Sequence, residues 1–302
     1  MEFELEDPLT SFQDHQSDTH PILFASESDH MPSQNFLTSL KTSDSLASFR
    51  REAISYMSQF SSNLDPFVPY LAVNYMDRFV SKQEIPQGKP WVLRLLVVSS
   101  LSLAAKMKNT PFSLSDCQRG EGNIFDAQAI NKMELLILDA LDWRMRSITP
   151  FSFLDFFISL SKFQDPTLIQ ALKHRASELI LHSLNEIKLL EYKPSMIAAS
   201  ALLSASHQLF PLQFPSFNAS ILSCAHVNKE NLMKCFNVLQ GMVGYDSMLD
   251  YTVSSTRTPL SLLDCHCTKW ECNNSTVGPE KRDIKRRKSN GVCFQISQIQ
   301  QS

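Results

Sequence analysis

The residues of this 302-residue chain that could carry chemistry are scattered rather than assembled. No G-x-S-x-G turn offers a nucleophile, and no H-E-x-x-H pair offers a metal-binding helix face. Neither a P-loop nor a kinase-type glycine loop is present to cradle phosphate. Gly120-Glu121-Gly122 marks only a loop, and the histidines fall mostly in the terminal stretches and on helices, without ligand spacing. Cys265-His266-Cys267, Cys272 and Cys293 crowd the C-terminal stretch. A structural zinc site needs four soft ligands in a defined frame, and C-x-C is not the spacing of a standard finger. The reading is free thiols, no metal, no cofactor, no catalytic residue, and hence not an enzyme.

Three charged residues stand at the edge of apolar patterns. Glu134 lies four residues after Ile130 and four before Leu138, so on a helix it borders the apolar stripe instead of facing away from it. Lys106 ends the most apolar segment, where a cation gains roughly 0.3–1 kcal/mol from the helix dipole. Spacing alone reads the first as a boundary carboxylate reaching water and the second as a helix-end cation. Asp77 adjoins Met76 and needs a cationic partner if it is buried.

These residues require helices to position them, and helices are what the pattern predicts. Val68, Leu71, Ala72, Tyr75, Met76 and Phe79 recur at helical spacing in 67–80, after Asp65-Pro66 as a start signal. Trp91 to Lys106 follows Lys89-Pro90 and is apolar nearly all round, which marks a central helix. Asp126 caps a third helix reaching about Asp142, and Pro150 opens a fourth over Phe151 to Leu160. The scheme then repeats. Lys193-Pro194 leads into a Ser/Ala/Leu-rich helix over Met196 to Leu209, and Asn228 caps a helix through Leu232, Phe236 and Leu239. The fold class is therefore all-α, two consecutive helical bundles at 45–148 and 149–244. Residues 1–44 are rich in Ser, Asp, His, Gln and Thr and residues 245–302 in Ser, Thr, Asn and charge, both without sustained period, and both read as disordered tails.

Bulk properties set the remaining bounds. A hydrophobic share of 43% supports a real core, and seven glycines disfavour turn-rich β architecture. A net charge of −3 gives no whole-chain attraction to nucleic acid or membrane. The apolar stretch from Trp91 to Ala105 is interrupted by Arg94, Ser99, Ser100 and Ser102 and falls short of a bilayer span. The opening residues Glu2 to Asp7 are acidic, without a basic and apolar leader, so the expected setting is a reducing compartment, cytosol or nucleus.

The wording of the helices resembles the cyclin family. Leu71-Ala-Val-Asn-Tyr-Met-Asp-Arg-Phe79 is similar to the first-helix signature of the cyclin box, and Leu101-Ser-Leu-Ala-Ala-Lys-Met107 to the end of its central helix. Met133-Glu134-Leu135 with Leu141-Asp142-Trp143-Arg144 resembles the fifth helix and exit of plant D-type cyclins. Thr149-Pro-Phe-Ser-Phe-Leu154 and Tyr192-Lys-Pro-Ser-Met-Ile-Ala-Ala-Ser-Ala201 resemble the second box of that group, and the box wording is most like its subgroup six. The resemblance spans roughly residues 45 to 243. It implies an activating subunit of a cyclin-dependent protein kinase, controlling passage from G1 into S phase and cell division in a plant, with kinase inhibitors as further partners. By the same resemblance Lys106 and Glu134 are the kinase-contacting pair, and Arg50 and Asp77 form a buried structural pair. The substrate-docking groove falls on Phe49, Ala53, Tyr56 and Arg94.

Departures from the family matter too. No cysteine precedes Cys117, so the N-terminal L-x-C-x-E motif that binds retinoblastoma-related proteins is absent there. The groove carries Tyr56 where the family has tryptophan and Arg94 where it has glutamine, which weakens it for R-x-L peptides. Lys108-Asn109 replaces acidic residues that usually follow the central lysine. In the C-terminal stretch, Lys281, Arg282, Lys285, Arg286, Arg287 and Lys288 form a basic cluster that reads as a nuclear-import signal, and Thr258-Pro259 is a candidate phosphosite. Location in nucleus and cytoplasm follows as an expectation. A rival class with the same duplicated fold is the nucleic-acid-binding cyclin-fold factor of general transcription initiation. That class calls for basic faces and often an N-terminal zinc ribbon.

Overall fold

The computed structural model describes residues 16–253, apart from 62–63, 84, 86–88, 114–124, 162 and 164. The described residues form eleven α-helices and three short 3₁₀ turns, with no strand among them. The first bundle comprises α3 (Asp44–Phe60), α4 (Phe67–Val80), α5 (Pro90–Met107) and α6 (Ala127–Ala140). The second opens on a 3₁₀ turn (Pro150–Phe153) and contains α7 (Leu154–Ser159), α8 (Pro166–Ser183), α9 (Pro194–Leu209), α10 (Phe214–Leu222) and α11 (Lys229–Val253). Before them come α1 (Gln16–Ser26), a 3₁₀ turn (Glu27–His30) and α2 (Gln34–Thr42).

The helix starts are chemical. Asp126 Oδ1 accepts from Ala129 N at 2.6 Å, Asp65 Oδ1 from Phe67 N at 2.8 Å, and Asn228 Oδ1 from Asn231 N at 2.9 Å. Each satisfies a backbone donor that the first turn leaves free. α5 is the central helix of the first bundle, packed by α3, α4 and α6, and α9 is that of the second, packed by α8, α10 and α11. Both are buried on nearly every side, and both carry serines among the apolar residues. The serines let neighbouring helices approach closely. Ser99 Oγ points at Ile130 O, 3.5 Å away, and Ser200 Oγ at Leu232 O, 3.4 Å away, so the same weak contact joins equivalent helices in the two halves. The duplication legible in the sequence is thus repeated in side-chain detail.

Polar side chains of α4 join the two bundles. Asp77, 2% exposed, takes three hydrogen bonds from Arg50, 3% exposed: Nε at 3.0 and 3.2 Å and Nη2 at 3.0 Å. Nη1 of the same guanidinium donates to Leu184 O at 2.6 Å, at the end of α8. One buried cation therefore links α3, α4 and the second bundle. Burial pushes the Asp77 carboxyl up, and the guanidinium opposes that. Tyr75 OH donates to Met145 O, and Arg78 Nη1 to Arg144 O and Ser147 Oγ at 3.1 and 2.9 Å, which pins the connection between the bundles to α4.

Two boundaries expected from sequence are corrected. Residues 1–44 were expected to be a disordered tail, but Gln16–Thr42 is largely helical. Phe24 is buried against the rings of Phe153, Phe156 and Phe157 and stacks on His226 at 4.4 Å. Glu27, 1% exposed, accepts from Ser195 N at 2.8 Å and Ser195 Oγ at 3.0 Å. Lys193, at the N-cap of α9, has no acceptor on its side chain, so Glu27 supplies the missing cap from far along the chain and sits where the helix dipole favours an anion. Burial raises the Glu27 carboxyl above the ordinary range, against the pull of Ser195 and Lys193. α2 buries Phe36, Leu37 and Leu40 and lies on α3 and on the 3₁₀ turn Ile187–Glu191. At the other end, α11 continues past 244 to Val253.

α5 is apolar enough in length and composition to cross a bilayer, but its apolar surface is enclosed by neighbouring helices. The free thiols among the described residues are Cys224 and Cys235, and burial pushes the Cys235 thiol up to about 12, so it stays protonated.

Asp77→Ala is expected to lower unfolding free energy by about 3–5 kcal/mol, because it strands the Arg50 cation in the core. Arg50→Met with Asp77→Leu should recover most of that loss. Urea unfolding followed by circular dichroism checks both, and a double variant no more stable than Asp77→Ala would show that the pair is not what the fold needs.

Candidate functional site

The charged pair at the surface of the first bundle is built from two helix ends. Lys106 lies in the last turn of α5, which closes with Asn109 N donating to Lys106 O at 3.2 Å and Thr110 N to Ala105 O at 2.9 Å. That double bond pattern is the Schellman closure, and Asn109 takes the left-handed position at φ 52° that glycine usually fills. Glu134 lies on α6, 7% exposed. The Lys106 ammonium reaches both its oxygens, Oε1 at 2.8 Å and Oε2 at 2.7 Å. The side chains differ in setting: Lys106 is 60% exposed and Glu134 is 9%. Spacing alone had Glu134 reaching water. It faces Lys106 instead, because α5 and α6 pack side by side.

The helix of Glu134 and its exit also expose apolar side chains. Leu135 and Leu136 on α6 are more than half exposed, and Trp143 just beyond it is 65% exposed. α6 closes like α5, with Asp142 N donating to Asp139 O and Trp143 N to Leu138 O. Asp142 has φ 53° and is held by Lys82 Nζ at 2.8 Å, which draws its carboxyl below the usual range. Trp143 follows at φ 59°. A bulky residue in that region costs on the order of 1–3 kcal/mol, and such strain gathers at sites that function shapes. The exposed indole gains no burial in return.

The groove residues are only partly brought together. Phe49 and Tyr56 are half-buried on α3, and the Arg94 guanidinium lies 5.5 Å from the centroid of the Tyr56 ring. The cation thus lies on the aromatic face where an incoming basic side chain would rest. Ala53 is fully buried in the core, so it is not a wall of the groove. An open cleft of about 1000 Å³ extends from Phe49, Glu52 and Leu93 to Ser81, Lys82 and Lys89. Arg50 and Asp77 lie inside the fold. Thr258, the cluster Lys281, Arg282, Lys285, Arg286, Arg287 and Lys288, and the cysteines from Cys265 on lie outside the described residues.

Sequence reasoning missed Glu27, whose partner is 168 residues away and for which no local signal exists. It also missed the exposure of Trp143. The signal there was present: a tryptophan after Leu141-Asp142, past the end of the apolar stripe.

Comparison with known proteins fits this geometry. Residues 18–146 match the profile described as "Cyclin, N-terminal domain" and residues 148–255 match "Cyclin, C-terminal domain". An Arabidopsis thaliana protein carrying the name "Putative cyclin-D6-1" is 45% identical over 96% of this chain and 98% of its own length. Cyclin-D6-1 of Oryza sativa subsp. japonica is 37% identical over 95% and 90%. A viral cyclin from Herpesvirus saimiri shares the fold at TM-score 0.55 and 19% identity, covering 65% of this chain and 85% of that one. With both cyclin domains present and full-length likeness to plant D-type relatives, the chain belongs to the cyclin family and stands with its plant D-type members.

Proposed function

We propose that this chain is the activating regulatory subunit of a cyclin-dependent protein kinase and acts at the passage from G1 into S phase. The observation that carries the reading is the Lys106–Glu134 pair, whose glutamate lies on a helix that also exposes Leu135 and Leu136, with Trp143 exposed just beyond its end. An ammonium has three donors. Two are directed at Glu134, and the third is free to meet a carbonyl or carboxylate of a partner. The exposed apolar side chains supply area for a helix to dock on. In a protein kinase, catalysis needs an internal Lys–Glu pair whose glutamate sits on a mobile helix. A partner that binds only the active setting of that helix shifts the population toward it. The chemistry stays in the kinase. The D-type relatives and the net charge of −3 favour this reading over the nucleic-acid-binding class.

Lys106→Ala with Glu134→Ala tests it, since removing both charges avoids leaving a buried carboxylate alone. The variant should keep its helical spectrum and lose about 2–5 kcal/mol of kinase affinity, at the upper end thousands-fold. Activation of a co-purifying kinase at wild-type level would overturn the assignment.

For location, the basic cluster supports nuclear import. A fluorescent fusion lacking Lys281 to Lys288 should move from nucleus toward cytoplasm, and an unchanged nuclear signal would assign import to the partner or to another segment.

For substrates, docking of retinoblastoma-related proteins through L-x-C-x-E is not expected. Direct titration of the kinase-free chain against such a pocket domain should show no sub-micromolar binding. Tyr56→Trp with Arg94→Gln should strengthen binding of a basic R-x-L peptide, because it removes a like charge and adds apolar area. Unchanged affinity would count against the groove argument.

A further inference from the structure

The sequence holds three Thr-Pro pairs, at Thr110, Thr149 and Thr258, and no Ser-Pro. The fold separates two of them. Thr149 is 1% exposed and opens a 3₁₀ turn inside the second bundle, so an enzyme cannot reach it without unfolding. Thr110 is partly exposed, in non-helical chain just after the closure of α5, and its hydroxyl takes part in no hydrogen bond among the described residues. We propose that Thr110 is a phosphorylation site for a proline-directed Ser/Thr kinase, and that its phosphate disarms the Lys106–Glu134 surface.

The chemistry is ordinary phosphoryl transfer. The Thr110 oxygen forms a bond to the γ-phosphorus of ATP, the bond from that phosphorus to the bridging oxygen breaks, ADP leaves, and the hydroxyl proton passes to the modifying kinase's base. The product carries −1.5 to −2 charges and three strong acceptors. It stands at the C-terminus of α5, where the unpaired carbonyls already make the field negative. Only cations can stabilise it there, and two are close in the chain. Lys106 belongs to the same closing turn, its carbonyl accepting from Asn109 N. Lys108 extends over the Phe67 ring, 5.1 Å from its centroid. The phosphate competes with Glu134 for Lys106. If it wins, Glu134 is left nearly buried without its cation, and the third ammonium donor no longer faces outward. The consequence for binding rests on the kinase-partner reading above, but the modification itself does not.

The test uses the full chain in two arms. In the first, chain, ATP and a proline-directed kinase, whose activity is verified on a control peptide, are incubated and the phosphorylated residues are mapped by mass spectrometry. Thr110 should be modified while Thr149 is not. An unmodified Thr110 overturns the proposal. In the second arm, the dissociation constant for the partner kinase's catalytic subunit is measured with and without the phosphate. It should rise at least tenfold, and Thr110→Val should bind like the untreated chain and no longer respond to treatment. Equal affinity of the two forms overturns the regulatory half. If the untreated chain binds no kinase at all, the reading of the surface fails instead, and the mapping alone decides the site.

Discussion

A single buried guanidinium sets the relation between the two halves of the molecule. Arg50 satisfies both oxygens of Asp77 and the carbonyl of Leu184, so its charge is neutralised and its donors are directed at two distant parts of the chain at once. A charge in that position is costly unless geometry satisfies it, and the satisfaction requires α3, α4 and the end of α8 to meet at one point. A hydrophobic contact of similar area would tolerate sliding. This one does not, which gives the interface between bundles a register. Tyr75 and Arg78, on the same helix, then bind the connecting segment through backbone carbonyls, so the linker is positioned by α4 and not by its own sequence.

The same duplication that builds two similar halves makes their difference informative. Counting from Ser99 and Ser200, which make the same contact, Lys106 corresponds to His207. Counting from the caps Asp126 and Asn228, Glu134 corresponds to Phe236. Phe236 is half-buried and packs beside Phe214, which the exposed His207 ring also meets. Where the second half completes its packing with rings, the first presents a cation and a nearly buried carboxylate. The scaffold does not need the ion pair at that position, since its twin does without one. The left-handed backbone at Asp142 and Trp143 points the same way: the first half carries polar and strained features that packing alone does not explain.

Much of this was legible in the chain. The central helices announced themselves by continuous apolar content after a Lys-Pro start, and the caps at Asp126 and Asn228 were read from residue type. The ions at the edges of stripes were visible as anomalies, although their pairing depends on α5 and α6 lying side by side, which periodicity does not specify. What stayed hidden was long-range. α1 contains Pro21 and lies in a polar stretch, so nothing local marks it as a helix that seats on residues beyond 150. Ala53 reads as a groove residue by its place in a motif, whereas exposure is decided by what packs over it.

The seating of Glu27 on Ser195 has a consequence in time. The chain emerges from the ribosome N-terminus first, so α1 and the Glu27 carboxylate after it are made long before the helix that Glu27 caps exists. The two residues are 168 positions apart. At about 5–20 residues per second, that is a delay on the order of 10–30 s. For most of it Phe24 has no aromatic pocket, and until its end the N-terminus of α9 has not been made. The first bundle can condense in that interval from local contacts, while the N-terminal segment waits as an unpaired strap. Its closure is therefore among the last events of folding, and a nascent chain halted before residue 195 has no place to put it.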